Sequence, residues 1–538
     1  MGIPKRALLL SSVAITLFAA RYAPQAAFFP RSHGWNVATL FVLLVFAQLV
    51  WRVVVYPLCV SPLRHLPQPP NAHFLLGHFK RIFREPTGEP HRDWIDTVPN
   101  QGVLYYRWMF NEPRVLVTNP KALAEVLVQR SYDFIKPERL RLSLARLLGV
   151  GVLVAEGDEH RRQRKLLMPA FTFRHVKDLY PIFWAKSLEM TSRMAAAIRS
   201  NPDASNVIDM CEWSSRATLD IIGLAGMGKD FDSLSSPDNE LYLTYSAIFS
   251  GNRGPRIVQV MLGLIPHWLA VALPLKFNDE IGKAIQTIKS VARDLIADKR
   301  AKLEKGGSAQ QVDILSVAME SGGFSDEDLV NQLMTFLAAG HETTASAMAW
   351  AVYLLCRHPD VQTQLRAEVR SHLHLDGATT SIISSTDIDR LPYLSAVLHE
   401  TMRLFPPVPI VLREAAHDTT IQGHFVPAAT TIVISPWAIN TCQDLWGPDA
   451  RHFNPNRWLA PGCAHTGGAD TNFAVTTFLH GPRSCIGRDF AKAEFACLVA
   501  AFVGKFQFEL EMPDYELEIQ GGITARPKGG LRVRLREV

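Results

Sequence analysis

One stretch limits what this chain can fold into: from Ser325 to about His358 it reads as a single uninterrupted helix. It opens on Ser325-Asp-Glu-Asp328, where the serine hydroxyl and the Asp328 carboxylate can each take up a free N–H of the first turn. It stops before Pro359, which cannot carry a helix onward. At 1.5 Å per residue such a rod is roughly 50 Å long and crosses a whole domain, so the rest of the chain must pack around it. Its middle reads Ala338-Ala-Gly340-His-Glu342-Thr343-Thr344. Gly340 costs about 1 kcal/mol there relative to alanine and needs a reason. Small residues on one face would let a ligand approach the backbone. Thr343 can hydrogen-bond the carbonyl of Ala339 and open the helix locally. The expected result is a groove with a hydroxyl and an acid, Glu342, beside it, able to move protons. A plain helix-packing face is the alternative.

The second constraint is Phe478-Leu-His-Gly481-Pro-Arg483-Ser-Cys485-Ile-Gly487. Gly481 and Gly487 can both take positive φ and let backbone lie against a flat ligand. Arg488 to Ala501, rich in Ala, Phe, Glu and Leu, suits a buried helix. Its first N–H groups would face the Cys485 sulfur, stabilise a thiolate and lower the thiol pKa. A thiolate in a roomy loop is the setting of an axial haem ligand, and Arg483 would supply a cation for a haem propionate. The alternative is a free cysteine acting as a small core residue.

The chain opens on two apolar segments. Ala7 to Ala20 is short for a span and reads as a signal-peptide core or the first half of a helical hairpin. Val37 to Tyr56 is long enough to cross a bilayer, with Trp35, Trp51 and Tyr56 as interfacial anchors. Residues 1–56 are therefore assigned to a membrane anchor. Pro57 to Pro70 carries prolines that cannot continue a helix, and is expected to be a stiff, extended connector. Residues 71–538 form the catalytic domain in this reading. Val103–Arg107 and Arg114–Thr118 predict a hairpin, Pro120–Gln129 a helix, and Tyr132–Ala155 a long irregular loop. In Gly157-Asp-Glu-His160-Arg-Arg-Gln-Arg164, His160 and Arg164 share one helical face.

Residues 175–300 are mostly helical by pattern, with an apolar run from Val258 to Leu273; Glu304 to Gln311 reads as a polar loop. Leu391–Leu404 predicts a helix with Glu400 and Arg403 on one face, and Val408–Arg413 and Thr430–Ile434 predict strands. Leu531–Arg536 alternates strictly and is expected at a sheet edge.

Composition excludes several classes. The net charge of +5 over 538 residues is mild and no long basic run exists, so nucleic acid is not a partner. Seven scattered cysteines without a Cys-x-x-Cys pair argue against a disulfide framework or a zinc site. No Gly-x-Gly-x-x-Gly follows a strand, so electrons from a nicotinamide cofactor must come through another protein.

The spacing Phe478-x-x-Gly481-x-Arg483-x-Cys485-x-Gly487 resembles the haem loop of the cytochrome P-450 family. The 339–344 stretch resembles its oxygen groove, and the two motifs stand in family order. The resemblance covers nearly everything from Pro57 onward. It implies a mainly α fold with a minor β region behind an N-terminal membrane anchor, and haem b with iron ligated by Cys485. It places Arg164 on a haem propionate together with His160, which stands where the family usually has tryptophan. Glu342 and Thr343 would supply the protons that oxygen activation consumes. Glu400, Arg403 and Arg457 would form a buried triad of structural purpose. The 258–273 run would dip into the membrane beside a substrate entrance.

By the same resemblance the reaction is oxidation of a lipophilic molecule by O₂ and NADPH. The reductant arrives through a membrane-bound NADPH–cytochrome P-450 reductase, with cytochrome b5 as an optional donor. The basic residues Arg161 to Lys165 and those on the Cys485 side would be the docking face. Membrane lipid is the third partner, and the endoplasmic reticulum with a cytosol-facing catalytic domain the expected location. The N-terminus and the 157–164 segment look like those of fungal members that tailor polyketides, terpenoids or alkaloids. Fatty-acid hydroxylation, a reductase-independent isomerase or dehydratase, and a non-enzymatic haem sensor are the alternatives. Substrate-pocket positions are expected from 132–155, the helix before Ala339, Val408–Val411 and Gly522–Thr524.

Overall fold

The computed structural model describes residues 5–22, 32–200, 206–249, 265, 267–273, 275–304, 313–373, 383–514, 517–520 and 522–538. The long helix runs Asp326–Arg357 and carries the anticipated capping box: Asp328 N donates to Ser325 Oγ, and Ser325 N donates to the Asp328 carboxylate. Apolar and small side chains are buried all around it, because helices cover it from several sides: Met210–Met227, Lys276–Glu304, Pro392–Leu404 and Arg488–Lys505. These elements share one large apolar core.

A second core lies under a five-stranded sheet in the order Val103–Arg107, Pro113–Val117, Thr431–Ile434, Val411–Ala415, Phe134–Ile135. The first two strands form the predicted hairpin, with Val103 opposite Val117. The second and third run parallel, and the remaining pairs are antiparallel. The body is therefore mainly α with a small β region, as expected.

Four local expectations change. Leu531–Arg536 is not an edge: the strand Arg532–Glu537 lies between Val207–Asp209 and Phe506–Leu510. Alternation reports that one face is buried, and carries no information on whether both edges find partners. Residues 132–155 hold a helix, Glu138–Leu148, which the polar Arg residues of that segment had masked. Gly487 does not use positive φ (see below). Lastly, Pro57 does not end its helix. The chain runs from His33 through Val50 into a π-helical segment, Trp51–Val60, and then a 3₁₀ turn, Pro62–His65. Widening the turn to i→i+5 bonds lets the backbone pass a residue that has no N–H to give.

This helix packs along the helix Lys5–Tyr22, which matches the hairpin alternative for the first segment. The run His33–His65 is the one described helix long and apolar enough to cross a membrane. Its lower end is tied to the catalytic body by Asn111, fully buried, whose Nδ2 donates to Val53 O at 2.8 Å and Phe74 O at 2.7 Å. Of the 258–273 run, 258–264 and 266 lie outside the described residues, and His267–Ala272 is helical; of the polar loop, 305–311 also lie outside.

The triad Glu400–Arg403–Arg457 is present and dry. Arg403 meets Glu400 through two bonds of 2.8 Å, with both side chains fully buried. Arg457 Nε donates to Glu400 Oε1 at 3.1 Å, and Trp458 Nε1 to Glu400 Oε2 at 2.9 Å. Arg403 spends its remaining donors on the carbonyls of Asn440, Ala450 and His452. Asn440 in turn holds Thr476 and Thr477, the two residues before Phe478. The buried charges thus fix the stem of the cysteine loop.

Candidate functional site

Cys485 sits where the loop closes: its N–H donates to Phe478 O at 2.8 Å, and Phe478 packs against the main core. Gly481 takes φ +75°, and a β-carbon there would collide with the Leu127 carbonyl oxygen, so only glycine fits. Gly487 instead has φ −89° and caps the Arg488–Lys505 helix. An added β-carbon would meet only the Phe171 ring edge, at 3.7 Å, so protein does not fill the space beside it.

Protein atoms enclose the Cys485 sulfur, yet solvent still reaches it: it is exposed, whereas Phe490 and Arg483 nearby are buried. The two facts agree if the sulfur lies on the wall of an internal space. Burial pushes its thiol pKa up. The Gly487 N–H and the charges of Arg164 and Arg488 act in the opposite direction, as anticipated, but do not win. The expectation of a lowered thiol pKa is therefore corrected: without a cation at sulfur, desolvation outweighs the helix terminus.

The long helix shows the same signature. Ala339 is exposed and Gly340 and Thr343 half-exposed, in the middle of a run whose other residues are buried. Thr343 Oγ1 donates to Ala339 O at 2.8 Å, the bond expected from the sequence. The reason for Gly340 is different from the one anticipated. A β-carbon there would lie 2.8 Å from Ile222 Cγ1, so the glycine admits a side chain of the crossing helix rather than a ligand. That helix also sends Thr218 Oγ1 to His341 O at 3.0 Å.

Glu342 is buried and engaged. Its Oε1 accepts from Thr524 Oγ1 at 3.1 Å and from Arg526 Nη1 at 3.4 Å. The acid of the groove is thus clasped by the 522–526 loop. Ala525 O in that loop accepts from Ser346 Oγ and Trp350 Nε1 of the long helix, and Ala525 N donates to Pro407 O.

The basic residues gather as well. Arg483 is buried over the Tyr132 ring, with Nη2 2.5 Å from Glu156 Oε2. Its Nε nevertheless lacks a hydrogen-bond acceptor. Lys136 Nζ meets Glu156 Oε1 at 3.2 Å, and burial with Arg413 nearby brings its pKa down to about 8. Arg413, also buried, is lowered to about 10 by desolvation and by Arg483. Glu156 stays below the ordinary carboxylate range: burial opposes its charge, and Lys136 and Arg483 outweigh burial. His160 is buried, with Nδ1 3.1 Å from Tyr132 Oη. Desolvation, then Arg483, Lys136 and Arg164, lower it to about 4, so it is neutral at physiological pH. Arg164 turns toward the loop itself, Nη1 donating to Ser484 O at 2.7 Å.

The sequence model of cytochrome P450 matches residues 67–531. The chain belongs to the cytochrome P450 family. It is similar to the cytochrome P450 monooxygenase sphH of Aspergillus fumigatus, with 47% identity over 94% of each chain. FUM15 of Gibberella moniliformis, another such monooxygenase, is 40% identical over 92% of each. ALT8 of Alternaria alternata is 41% identical over 91% of this chain and 92% of its own. The protein is accordingly a cytochrome P450 monooxygenase.

The residues present fit the haem that a P450 carries. Arg483, Arg413 and Lys136 form a buried group of cations with one carboxylate, Glu156, paired among them. Such an excess of buried positive charge calls for anions, and a haem brings two propionates. The unfilled Nε donor of Arg483 and the accessible sulfur of Cys485 supply the two ends of such a site. Lys136, Arg413, Glu156 and Tyr132 were not legible as site residues in the sequence. They come from separate strands and turns, and only the strand pairing of Phe134–Ile135 with Val411–Ala415 brings Lys136 and Arg413 to one place.

Proposed function

We propose that this P450 inserts one oxygen atom of O₂ into a lipophilic small molecule, with electrons from NADPH relayed by a membrane-bound reductase. The step is one of tailoring in fungal secondary metabolism. In sum, substrate, O₂, NADPH and a proton give oxygenated product, water and NADP⁺. Haem, when bound, supplies the redox iron at which O₂ is activated. The observation that carries the reading is the accessible thiol of Cys485 on a loop whose stem is held by the buried Asn440 and Thr476.

The chain's own groups then divide the work. Cys485 would hold the iron, and Arg164, bonded to Ser484, favours the charged sulfur. Arg483, Arg413, Lys136 and neutral His160 would bind the propionates. Thr343 holds a proton at Oγ1 on the open side of the long helix. Glu342 stands behind it, held by Thr524 and Arg526, as the acid that restores that proton. The 522–526 loop is bonded through Ala525 to Ser346 and Trp350 of the long helix and to Pro407, and Ile523 and Val408–Val411 would line a space there from which a lipophilic substrate excludes water.

The helix His33–His65 anchors the protein in the endoplasmic reticulum with the body in the cytosol. Docking of the reductase uses Lys165, which is solvent-facing; Arg161, Arg162 and Arg488 are largely neutralised by Asp158, Glu159 and Asp489. The full chain reconstituted with a P450 reductase, NADPH and candidate polyketide, terpenoid or fatty-acid substrates tests this reading. Substrate-dependent NADPH use with oxygenated product supports it. Conversion of a substrate without NADPH would favour an isomerase instead.

A further inference from the structure

The helices Lys5–Tyr22 and His33–Val50 are built in the reverse order to a helix pair made for water. They pack against each other. Among their described residues three are buried, and all three are polar: Ser12, Thr16 and Asn36. The large apolar side chains face outward instead. Leu10, Leu17 and Phe18 on the first helix and Val42, Phe46 and Leu49 on the second are each more than half exposed. Water drives apolar groups in and leaves polar ones outside. Hydrocarbon inverts that order: apolar surface meets lipid, and Ser, Thr and Asn gather between helices. Ser12 and Thr16, four apart, share one helical face, and Thr16 Oγ1 donates to Ser12 O at 2.8 Å, so that hydroxyl is satisfied without water.

The dimensions agree with a bilayer. Each helix has 18 residues. At 1.5 Å per residue that is about 27 Å, and the hydrocarbon of the endoplasmic reticulum membrane is about 27 Å thick. The apolar part of the first helix, Leu9–Tyr22, is shorter than this, and the basic turn at its start completes the length. The ends match as well. Lys5 and Arg6 open the first helix, and Trp51 and Arg52 follow the second. Arg21 and Tyr22 close the first helix, the guanidinium 5.7 Å over the ring, and Trp35 stands in the first turn of the second. Basic and aromatic residues thus occupy both levels at which a bilayer meets water. Residues 23–32 connect the two helices, and helices packed side by side on so short a link run antiparallel. Lys5, Arg6, Arg52 and Arg64 then flank one side of the membrane, against Arg21 and Arg31 on the other. The richer side is the one the positive-inside rule assigns to the cytosol.

We propose that the chain crosses the membrane twice: Lys5–Tyr22 and His33–Val50 form a transmembrane hairpin, and the Lys5 end lies on the same side of the bilayer as the catalytic body. A single crossing by the second helix would leave that end on the opposite side. The hairpin rests on the inverted burial and the matched lengths; that the shared side is the cytosol rests on the location proposed above for the body.

The test uses the full-length protein in endoplasmic reticulum microsomes. The chain has no Asn-x-Ser or Asn-x-Thr of its own, so one added acceptor reports one position, and only the lumenal side glycosylates it. Acceptors are placed singly in a tag before Met1, in a polar insertion between residues 26 and 27, and in a tag after Val538. The proposal expects a glycan on the insertion, seen as a gel shift that endoglycosidase reverses, and none on either tag. Protease added to intact microsomes should remove the tag before Met1. Glycans on both terminal tags with a bare insertion would uphold the hairpin and overturn the cytosolic location of the body. Terminal tags on opposite sides overturn the hairpin, as does a mature protein from which the first helix has been cleaved. Three bare acceptors on a protein that still floats with the vesicles also overturn it, because the first helix then does not cross. A protein that leaves the vesicle fraction overturns the membrane anchor and the hairpin together. If the insertion prevents expression, protease access to the two terminal tags decides by the same criteria.

Discussion

Thr343 shows how a single hydroxyl links sequence to chemistry. Its bond to Ala339 O was legible because a threonine in a helix has that carbonyl within reach, whatever the fold around it. Thr343→Ala should uncouple the enzyme, with NADPH consumed and peroxide released at the expense of product by about tenfold; product analysis against NADPH use checks it. The partners of Glu342, by contrast, were not legible: Thr524 and Arg526 lie far along the chain and reach it only through the fold. His160 carries a pH prediction. Its unfolded pKa is near 6.5 and its folded value about 4, so the unfolded chain binds the extra proton first. The stability it allows is present above pH about 6.5 and is lost as pH falls toward 4, on the order of 2 kcal/mol after allowance for partial solvation. Acid unfolding curves for the parent and His160→Gln should run parallel above that window, and the parent should lose more stability than the variant across it.

Among elements, the long helix was the most legible, because capping box, length and terminal proline agree with one another. The cysteine loop was legible from its motif, but the role of Gly340 was not. Its reason is Ile222 on a helix that the sequence cannot place beside it. Gly340→Ala should cost about 1–3 kcal/mol by overpacking, and Ile222→Ala in that background should return part of it; denaturant midpoints decide. The triad belongs to this scale too. Glu400→Ala strands Arg403 in the core and should cost about 3–5 kcal/mol. Because Asn440 and Thr477 pass that support to the loop stem, the variant should also lose haem content, measured per protein after purification. Normal haem loading in a stable Glu400→Ala would contradict the support role.

For the whole molecule, the two larger cores meet at the cysteine loop, with an apolar N-terminal helix on one side. The β region was the least legible part, because strand order and edge pairing depend on partners distant in sequence; Arg532–Glu537 moved from edge to centre for that reason. The cation group of Lys136, Arg413 and Arg483 shares that origin. Removal of residues 1–65 should shift the protein out of vesicle flotation fractions. It also deprives Asn111 of Val53 O, at about 1 kcal/mol. The central claim is that Cys485, as a thiolate, holds the haem iron. The most direct measurement is the CO difference spectrum of the dithionite-reduced full-length protein beside that of Cys485→Ala. The account predicts a thiolate-type Soret band in the parent and none in the variant; a thiolate-type band that survives in Cys485→Ala, or a parent that binds no haem, would contradict it.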